Sequence, residues 1–221
     1  MTCWIAIPIK EPGACKTRLR AMLDDAGREQ LAGAMLHHVL TVTRNAATGH
    51  KLLLLAPIGH DVPPAIERIP DRKRGLNGEL TALLETAAAS GVDRLAIVPA
   101  DLPLIAAPDM RALIDLPRGD AAIAPDRARL GTNALSLPLP AARDFRFQFG
   151  HGSFEHHCAE AARLNIPLTT VHSGRLAFDI DEPADLNDWR AQYPDIEQAM
   201  LRGERPEAGR HLEMGGVVGS K

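Results

Sequence analysis

The sequence predicts an α/β fold in which a mostly parallel central sheet lies between two layers of helices, with a small antiparallel portion. In the first half of the 221-residue chain, short apolar runs alternate with stretches of helical periodicity. These apolar runs are continuous, as expected of strands that are buried on both faces of a parallel sheet. Strands that alternate with helices of ten or more residues imply right-handed crossover connections. The second half is less regular, which indicates the antiparallel portion.

The first half of the chain repeats a strand-then-helix pattern. We expect strands at residues 4–9, 52–56 and 95–98, a helix at about 27–48, and a second helix that includes residues 80–87. In the first helix Leu31, Met35 and Val39 recur at steps of four, which places them on one helical face. This periodicity supports an amphipathic helix packed on the sheet.

The second half is expected to contain strands at residues 121–124, 133–137, 168–171 and 176–180, a helix at 153 to about 164, and a helical end. We predict a single domain over residues 1–200 and a flexible C-terminal tail over residues 201–221, which are rich in glycine and charge and lack periodicity. Length alone would also allow two small domains.

Composition narrows the class of ligand. Hydrophobic residues make up 45% and charged residues 24%, as in ordinary globular proteins, and the net charge is −3. This charge gives no general attraction to nucleic acid or to anionic membranes, so an anionic ligand needs a local cluster of cations. The three cysteines are widely spaced, which argues against a disulfide framework and a zinc site. No apolar run approaches the ~20 residues that span a bilayer. We expect a cytoplasmic protein with a small ligand.

A basic loop follows the first strand. Pro8 lies near the end of the apolar run at 4–9, and Lys10, Lys16 and Arg18 follow the run. In open α/β sheets, ligands bind beyond the carboxyl ends of the strands, so this loop is placed to receive a triphosphate. It matches neither the Walker A nor the dinucleotide-binding glycine pattern. The alternative is a solvated surface loop with ordinary lysines.

Three aspartates are candidate metal ligands. Asp101 follows the strand at 95–98, and Asp179 and Asp181 lie two positions apart, so that a strand at 176–180 would direct both carboxylates to one face. Carboxylate oxygens are suitable ligands for Mg²⁺. The alternatives are a turn or cap role for Asp101 and a helix cap at Asp181 or Glu182.

A glycine-rich segment could bind a second anion. Gly150 and Gly152 precede Ser153, which opens a helix whose first amide N–H groups could bind a carboxylate or a phosphate, and Thr132 could contribute to the same site. The alternative is a glycine turn with an ordinary N-cap serine. Because adjacent residues diverge by ~100° on a helix, we assign the neighbouring His156 and His157 structural or surface roles.

The order of these motifs is more specific than any one of them. They are Ile-Pro-Ile-Lys at 7–10, Lys-Thr-Arg-Leu at 16–19, Leu-Asn at 76–77, Ala-Asp-Leu-Pro-Leu at 100–104, Gly-Thr-Asn-Ala-Leu at 131–135, Phe-Gly-His-Gly-Ser-Phe at 149–154 and Asp-Ile-Asp-Glu-Pro-Ala-Asp-Leu at 179–186. Over residues 4 to about 190 the chain resembles the 2-phospho-L-lactate, phosphoenolpyruvate or 3-phospho-D-glycerate guanylyltransferase family of coenzyme F-420 biosynthesis.

This resemblance implies a nucleotide-diphospho-sugar-transferase-like (Rossmann-like) fold and transfer of GMP from GTP to a small phosphorylated three-carbon acid, with Mg²⁺ as cofactor and release of pyrophosphate. The implied metal ligands are Asp101, Asp179 and Asp181; the implied catalytic residues are Lys16 and Asp101; the implied nucleotide site is Pro8, Lys10, Lys16, Arg18 and Asn77; and the implied acid site is Thr132, Gly150 and Ser153.

Other functions stay open on the sequence. One alternative is another nucleotidyltransferase, of the molybdenum-cofactor or sugar-phosphate type, and a second is a non-catalytic nucleotide-binding module. A plain interaction domain would leave the paired aspartates without a role. A homodimer is a further expectation about partners, and neither nucleic acid nor a membrane is expected as one.

Overall fold

The computed structural model describes residues 1–11, 13 and 15–202. The strands are β1 Cys3–Pro8, β2 Lys51–Ala56, β3 Glu67–Pro70, β4 Arg94–Ile97, β5 Ala121–Pro125, β6 Thr132–Pro138 and β7 Leu168–Thr170. The α-helices are α1 Asp25–Ala46, α2 Gly75–Ala89, α3 Ala107–Ile114, α4 Ser153–Arg163, α5 Pro183–Gln192 and α6 Pro194–Leu201, and a 3₁₀ helix spans Thr17–Ala21.

The seven strands form one mixed sheet in the order β3-β2-β1-β4-β6-β5-β7. Strands β3, β2, β1 and β4 are mutually parallel, and β5 is parallel to β7. Only β6 runs against its neighbours, pairing antiparallel with both β4 and β5. The predicted three-layer α/β fold with a small antiparallel portion is therefore confirmed.

Both faces of the sheet are buried, because alternate residues of each strand pack on different helices. Ile5 and Ile7 of β1 belong to one apolar cluster with residues of α1 and α3. Ala6, between them, belongs to a second cluster with residues of α2 and α4. All three strand residues are at most 1% exposed. Double burial explains why the first strands read as continuous apolar runs.

A third apolar cluster lies beside the sheet and supports the carboxyl ends of its strands. It joins Leu19 of the 3₁₀ helix, residues of α1, Trp189 of α5 and Met200 of α6 with Phe178 and Ile180. Leu19, Ile180 and Trp189 are fully buried. This cluster fixes the two segments that carry Lys16 and Asp179, which are far apart in sequence.

The structure confirms the expected strands at 4–9, 52–56, 95–98, 121–124, 133–137 and 168–171, the helices at 27–48, 80–87 and 153–164, and the helical end. Strand β3 and helix α3 are not among the elements expected from the sequence. The strand predicted at 176–180 is wrong, because this segment is turn and coil in the structure. Of the predicted tail, only residues 201 and 202 are described; the rest lies outside the described residues. Over the described residues, no helix is long and apolar enough to cross a membrane.

The error at 176–180 has a physical cause. Leu176, Phe178 and Ile180 are buried while the residues between them are partly exposed, so the alternating pattern of burial is real. The backbone, however, bonds locally instead of joining the sheet, with the amide of Ala177 donating to Ser173 O (2.9 Å). Arg175 pairs with the buried Asp109 of α3 (2.7 Å) and holds the turn in place.

Candidate active site

The candidate site lies at one edge of the sheet, where the carboxyl ends of β1 and β4 meet. Because β6 runs in the opposite direction, its first residues lie at this same edge: Leu135 pairs with Ile97, the last residue of β4. Thr132 and Asn133 precede Leu135 and therefore extend past the end of β4, toward the segment that leads to Asp101. The topology thus brings three of the sequence motifs to one place.

Lys16 is the centre of the site. Its Nζ lies 2.8 Å from Asp101 Oδ2 and 2.8 Å from Asp181 Oδ1, and its side chain is only 9% exposed. Burial by itself would lower the pKa of Lys16, but the charges and hydrogen bonds of Asp101 and Asp181 outweigh burial and raise it above its ordinary value. Lys16 is therefore a fixed cation held between two carboxylates.

The backbone at Lys16 is positioned by contacts on both sides. Lys16 adopts a left-handed conformation (φ 48°) just before the 3₁₀ helix, and its carbonyl accepts a hydrogen bond from the amide of Leu19 (2.9 Å). On the other side, the buried Arg28 of α1 donates from Nη1 to the carbonyl of Cys15 (2.9 Å). These contacts aim the Lys16 side chain at the carboxylates.

Asp179 is the carboxylate of the site whose ionised form is destabilised by its surroundings. Burial, followed by the negative charges of Asp101 and Asp181, raises the pKa of Asp179 from 3.8 to about 6, although a hydrogen bond from Asn133 opposes this rise. The donor is Asn133 Nδ2, 3.2 Å from Asp179 Oδ1, and the same nitrogen donates to the carbonyl of Leu176 (3.0 Å). Asn133 therefore orients Asp179 and the turn that carries it.

Asp181 completes the group from the start of α5. Burial would raise the pKa of Asp181, but the positive charges of Lys16, Lys10 and Arg18 and the hydrogen bond from Lys16 lower it. The amides of Asp181 and Glu182 both donate to Asp185 Oδ2, at 3.0 and 2.7 Å. Asp185, in the first turn of α5, thus satisfies the amides of Asp181 and Glu182, the two residues for which the sequence leaves a capping role open.

Arg127, in the connection between β5 and β6, secures this helix start from outside. It pairs with Asp185 and, at 3.0 Å, with Asp188. Its guanidinium also lies 4.5 Å from the centroid of the Phe178 ring. Arg127 therefore links the β5–β6 connection to both sides of the Asp179–Asp181 turn.

The predicted acid-binding residues lie on the side of β6 that faces α4, whereas Asn133 of β6 contacts Asp179. Thr132 is buried, and its Oγ1 lies 3.0 Å from Nδ1 of His157 in α4. Gly150 and Gly152 have φ of 131° and 70°, values that favour glycine. Ser153 begins α4 as predicted, but its amide donates to Gly150 O (3.2 Å) and the next amide, of Phe154, to Leu130 O (3.1 Å). These two amides already have partners in the protein.

The remaining predicted nucleotide-binding residues are distributed around the basic loop. Pro8 ends β1, Lys10 is exposed, and Arg18 is exposed and pairs with Glu182 (3.3 Å). Asn77, in the first turn of α2, instead makes two hydrogen bonds to the main chain of Phe149: Nδ2 donates to the carbonyl (3.1 Å) and Oδ1 accepts from the amide (2.8 Å). The prediction that Asn77 binds nucleotide stays a prediction.

Sequence reasoning missed three residues that shape this site: Asn133, Arg28 and Arg127. A signal existed for Asn133, since it stands inside the Gly-Thr-Asn-Ala-Leu motif next to Thr132. Arg28 and Arg127 lie outside every motif, and their roles depend on tertiary contacts that no local pattern predicts.

The three aspartates supply the oxygen donors that Mg²⁺ and Mn²⁺ prefer. Among the residues that the structure describes, however, no group of three acidic, histidine or cysteine side chains is arranged to hold a metal ion. The Lys16 ammonium occupies the position between Asp101 and Asp181. The chemistry of the donors fits a divalent cation, whose binding by all three carboxylates would require Lys16 to move aside.

The fold is shared with several solved structures. A protein from Desulfovibrio desulfuricans G20 assigned to the nucleotide-diphospho-sugar transferases aligns with a TM-score of 0.65 at 18% identity, over 91% of this chain and 97% of that one. A protein from Mycobacterium tuberculosis H37Rv, solved as a complex with manganese, aligns with a TM-score of 0.53 at 13% identity, over 86% and 98%. At these identities the likeness shows the fold.

Sequence comparison gives the family. The family model "Guanylyl transferase CofC like" matches residues 3–190, and the chain belongs to this family of nucleotidyltransferases. A phosphoenolpyruvate guanylyltransferase from Sphaerobacter thermophilus is 37% identical over 199 residues, 88% of this chain and 95% of the relative. A 2-phospho-L-lactate guanylyltransferase from Haloarcula marismortui is 32% identical over 182 residues, 82% of each chain. The family recognised from the motif order is confirmed.

Proposed function

We propose that this guanylyltransferase transfers GMP from GTP to the phosphate of a small phosphorylated three-carbon acid, with release of pyrophosphate, as a cytoplasmic step of coenzyme F-420 biosynthesis. The observation that carries the proposal is the group formed by Lys16 with Asp101, Asp179 and Asp181 at the carboxyl edge of the sheet. The names of the relatives from Sphaerobacter and Haloarcula support a three-carbon acid as acceptor.

The reaction requires two anions to approach each other. An oxygen of the acceptor phosphate attacks the α-phosphorus of GTP, a new P–O bond forms, and the bond to the β-phosphate breaks in line. The acceptor phosphate is already ionised at neutral pH, so a general base contributes little. Catalysis then rests on positioning and on neutralising the phosphate charges. Lys16, with Lys10 and Arg18 in the same loop, provides this positive charge next to the end of β1.

We propose Asp101, Asp179 and Asp181 as the residues that hold Mg²⁺. When bound there, Mg²⁺ supplies charge neutralisation for both phosphate groups. The raised pKa of Asp179 supports this assignment, since a bound cation would stabilise the ionised form of a partly buried carboxylate that lies close to two others. If the three carboxylates held Mg²⁺, Lys16 would lose its two carboxylate partners and could contact the phosphates of GTP.

The acid is proposed to bind between β6 and the start of α4. Thr132 contributes its hydroxyl, and the glycine at 150, just before Ser153 and α4, lets the acid approach the backbone closely. In this arrangement the acid and the nucleotide lie on either side of the first residues of β6. The three acids that the family resemblance implies, 2-phospho-L-lactate, phosphoenolpyruvate and 3-phospho-D-glycerate, differ by only a few atoms, so the assay has to decide among them. The homodimer stays a prediction.

The test is an assay of the purified chain with GTP, Mg²⁺ and each of phosphoenolpyruvate, 2-phospho-L-lactate and 3-phospho-D-glycerate. Pyrophosphate release is measured together with the mass of the product. We expect an adduct of GMP with one acid, formed only when divalent metal is present. Sugar phosphates and a molybdopterin acceptor are run in parallel, and turnover with one of these alone would move the chain to another acceptor class.

A further inference from the structure

His157 is a fully buried residue of α4 that joins two parts of the proposed acid site. Its Nδ1 lies 3.0 Å from Thr132 Oγ1 on β6, and its Nε2 accepts a hydrogen bond from the backbone amide of Gln148 (3.0 Å). Gln148 begins the short loop that leads through Phe149 to Gly150. One imidazole ring therefore connects Thr132 to the loop that leads to Gly150.

The hydrogen-bond geometry determines the tautomer of His157. A backbone amide can only donate, so Nε2 must be the unprotonated nitrogen. In a neutral imidazole the proton is then on Nδ1, which donates to Thr132 Oγ1. Burial, and then the positive charge of His156, lower the pKa of His157 to about 4 against the opposing effect of Glu160, in agreement with a neutral ring at physiological pH.

This tautomer determines where the hydroxyl proton of Thr132 can point. Because its oxygen accepts the His157 proton, the hydroxyl of Thr132 must direct its own proton elsewhere. Among the described residues, no acceptor receives that proton. The Thr132 hydroxyl is thus set as a hydrogen-bond donor, which is the role that a carboxylate or phosphate ligand requires.

We infer that His157 is a positioning residue for acceptor binding: it orients the Thr132 hydroxyl as a donor to the acid and fixes the Gln148–Gly150 loop beside it. The inference rests on the proposed function. The acid would bind more weakly without His157, while the binding of GTP at the Lys16 loop would be affected little. Over the described residues, the side chain of His157 contacts β6 and the segment 145–149, and neither the Lys16 loop nor the aspartates.

The aromatic packing around His157 supports the same role. The ring of Phe149 meets His157 edge to face with centroids 4.8 Å apart, and Phe145 lies at 5.7 Å. An ordinary core histidine would be replaceable by a ring of similar size at a cost in stability alone. Here one ring nitrogen bonds to Thr132 and the other to the loop that leads to Gly150, so the loss should also affect substrate binding.

The experiment compares His157→Phe, Thr132→Val and the double variant. The acceptor is phosphoenolpyruvate, or whichever of the other two acids the unaltered protein uses. We expect His157→Phe to raise KM for the acid about tenfold, the size expected for a lost hydrogen bond in the site, and to change KM for GTP by less than about twofold. Because both single variants remove one shared interaction, the double variant should be little worse than either alone.

Two further variants separate positioning from folding. His157→Gln keeps an acceptor and a donor at this position and should restore KM for the acid to within about threefold. His38→Phe is the matched control, because His38 is also buried and bonds to a main-chain carbonyl, that of Ile105 (3.0 Å), in the layer of helices across the sheet. It should lower the melting temperature without changing KM for the acid.

Several outcomes would overturn the inference while leaving the proposed function intact. These are an unchanged KM for the acid in folded His157→Phe, equal increases in KM for acid and GTP, and fully additive effects in the double variant. If His157→Phe does not fold, KM for the acid is compared between His157→Gln and Thr132→Val. A KM in His157→Gln as high as that in Thr132→Val would overturn the role. Absence of transfer by the unaltered protein would instead contradict the proposed function.

Discussion

At the scale of single residues, the site is a compromise between stability and function. Asp179 is partly buried near two other carboxylates, Asp101 and Asp181, and these two share the Lys16 ammonium. Asn133 stabilises the ionised form of Asp179 through one hydrogen bond. A protein selected for stability alone would not retain three acidic side chains in such proximity, so the cost is explained by a cation bound during function.

Replacing Asp179 by Asn should greatly reduce turnover. The amide is nearly isosteric and can still accept the hydrogen bond from Asn133, but it lacks the negative charge needed to hold a divalent cation. We expect kcat/KM to fall by at least about a hundredfold, with the circular dichroism spectrum unchanged. Steady-state assays over a range of Mg²⁺ concentrations measure this effect. Near-normal activity of the variant would remove Asp179 from the metal site.

The same substitution should stabilise the metal-free fold at neutral pH. Because the pKa of Asp179 is raised from 3.8 to about 6 on folding, the stability contributed by its neutral form is complete below pH 3.8 and is lost as the pH rises through about 6. Asp179→Asn should therefore be more stable than the unaltered protein at pH 8 by about 1–2 kcal/mol, a value reduced from the full shift for solvent screening.

Urea unfolding in the presence of a chelator, repeated from pH 8 to pH 4, measures this difference in the free energy of unfolding. It should shrink toward zero as the pH approaches 4. A difference that is constant over this range would show that the carboxylate at 179 is not perturbed by its neighbours. The matched control is Asp195→Asn, at the start of α6 and outside the site.

At the scale of elements, the site depends on short connections that are held by side chains from other parts of the chain. The turn at 176–181 is fixed by Asn133 and by Arg175, which binds Asp109 of α3. The loop at 148–150 is fixed by His157 and by Asn77. Regular elements support these loops, and the loops carry Gly150 and the candidate metal ligands.

Asn77→Ala tests whether α2 supports the acceptor loop or contacts the nucleotide. The variant removes both hydrogen bonds to the main chain of Phe149, so we expect the loop before Gly150 to loosen and KM for the acid to rise about five- to tenfold. KM for GTP is measured in the same experiment. An increase in KM for GTP instead would favour the direct nucleotide contact expected from the sequence. Thr81→Val, one turn further along α2, is the control.

The predictability of each element follows from where its stabilising contacts come from. Strands β1, β2 and β4 were predicted because burial on both faces leaves continuous apolar runs in the sequence. Strand β3 is short and is an outermost strand of the sheet. Its sequence, Glu-Arg-Ile-Pro, has no such apolar run. The turn at 176–181 imitates a strand because its side chains alternate in burial, although its backbone is held by tertiary contacts.

The candidate site was predictable in part for the same reason. Lys16 follows β1 and Asp101 follows β4, and the fold class already implies that the carboxyl ends of these strands meet at one edge. The third apolar cluster holds Asp181 beside them. The prediction that Asp179 and Asp181 point the same way relied on a strand that does not exist. In the structure, Asp179 faces Asn133 and Asp181 faces Lys16. The contacts made by Asn77 and His157 required the three-dimensional structure.

At the scale of the whole molecule, one sheet covered on both faces supports a site along a single edge. Two of the four parallel strands, β1 and β4, lead to the basic loop and to Asp101 at this edge, and the reversed strand β6 brings Thr132 and Asn133 to it from the other direction. The third apolar cluster, formed by α5, α6 and the 3₁₀ helix, closes the site from the side. The last buried residue of this cluster is Met200.

A chain that ends after Arg202 should retain the fold and the activity. The buried contacts of the third cluster extend to Met200, and the prediction of a single domain over residues 1–200 places nothing essential beyond it. We expect the melting temperature to change by less than about 2 °C and kcat/KM by less than about twofold. A loss of activity in a folded truncated chain would show that residues after 202 contribute to the site.

The most direct test of this account is product formation by the purified protein from GTP and Mg²⁺ with phosphoenolpyruvate, 2-phospho-L-lactate or 3-phospho-D-glycerate, measured as pyrophosphate release and product mass. The account predicts a GMP adduct of one of these acids, formed by the unaltered protein and greatly reduced in Asp179→Asn. Absence of any adduct, under conditions in which GTP demonstrably binds, would contradict it.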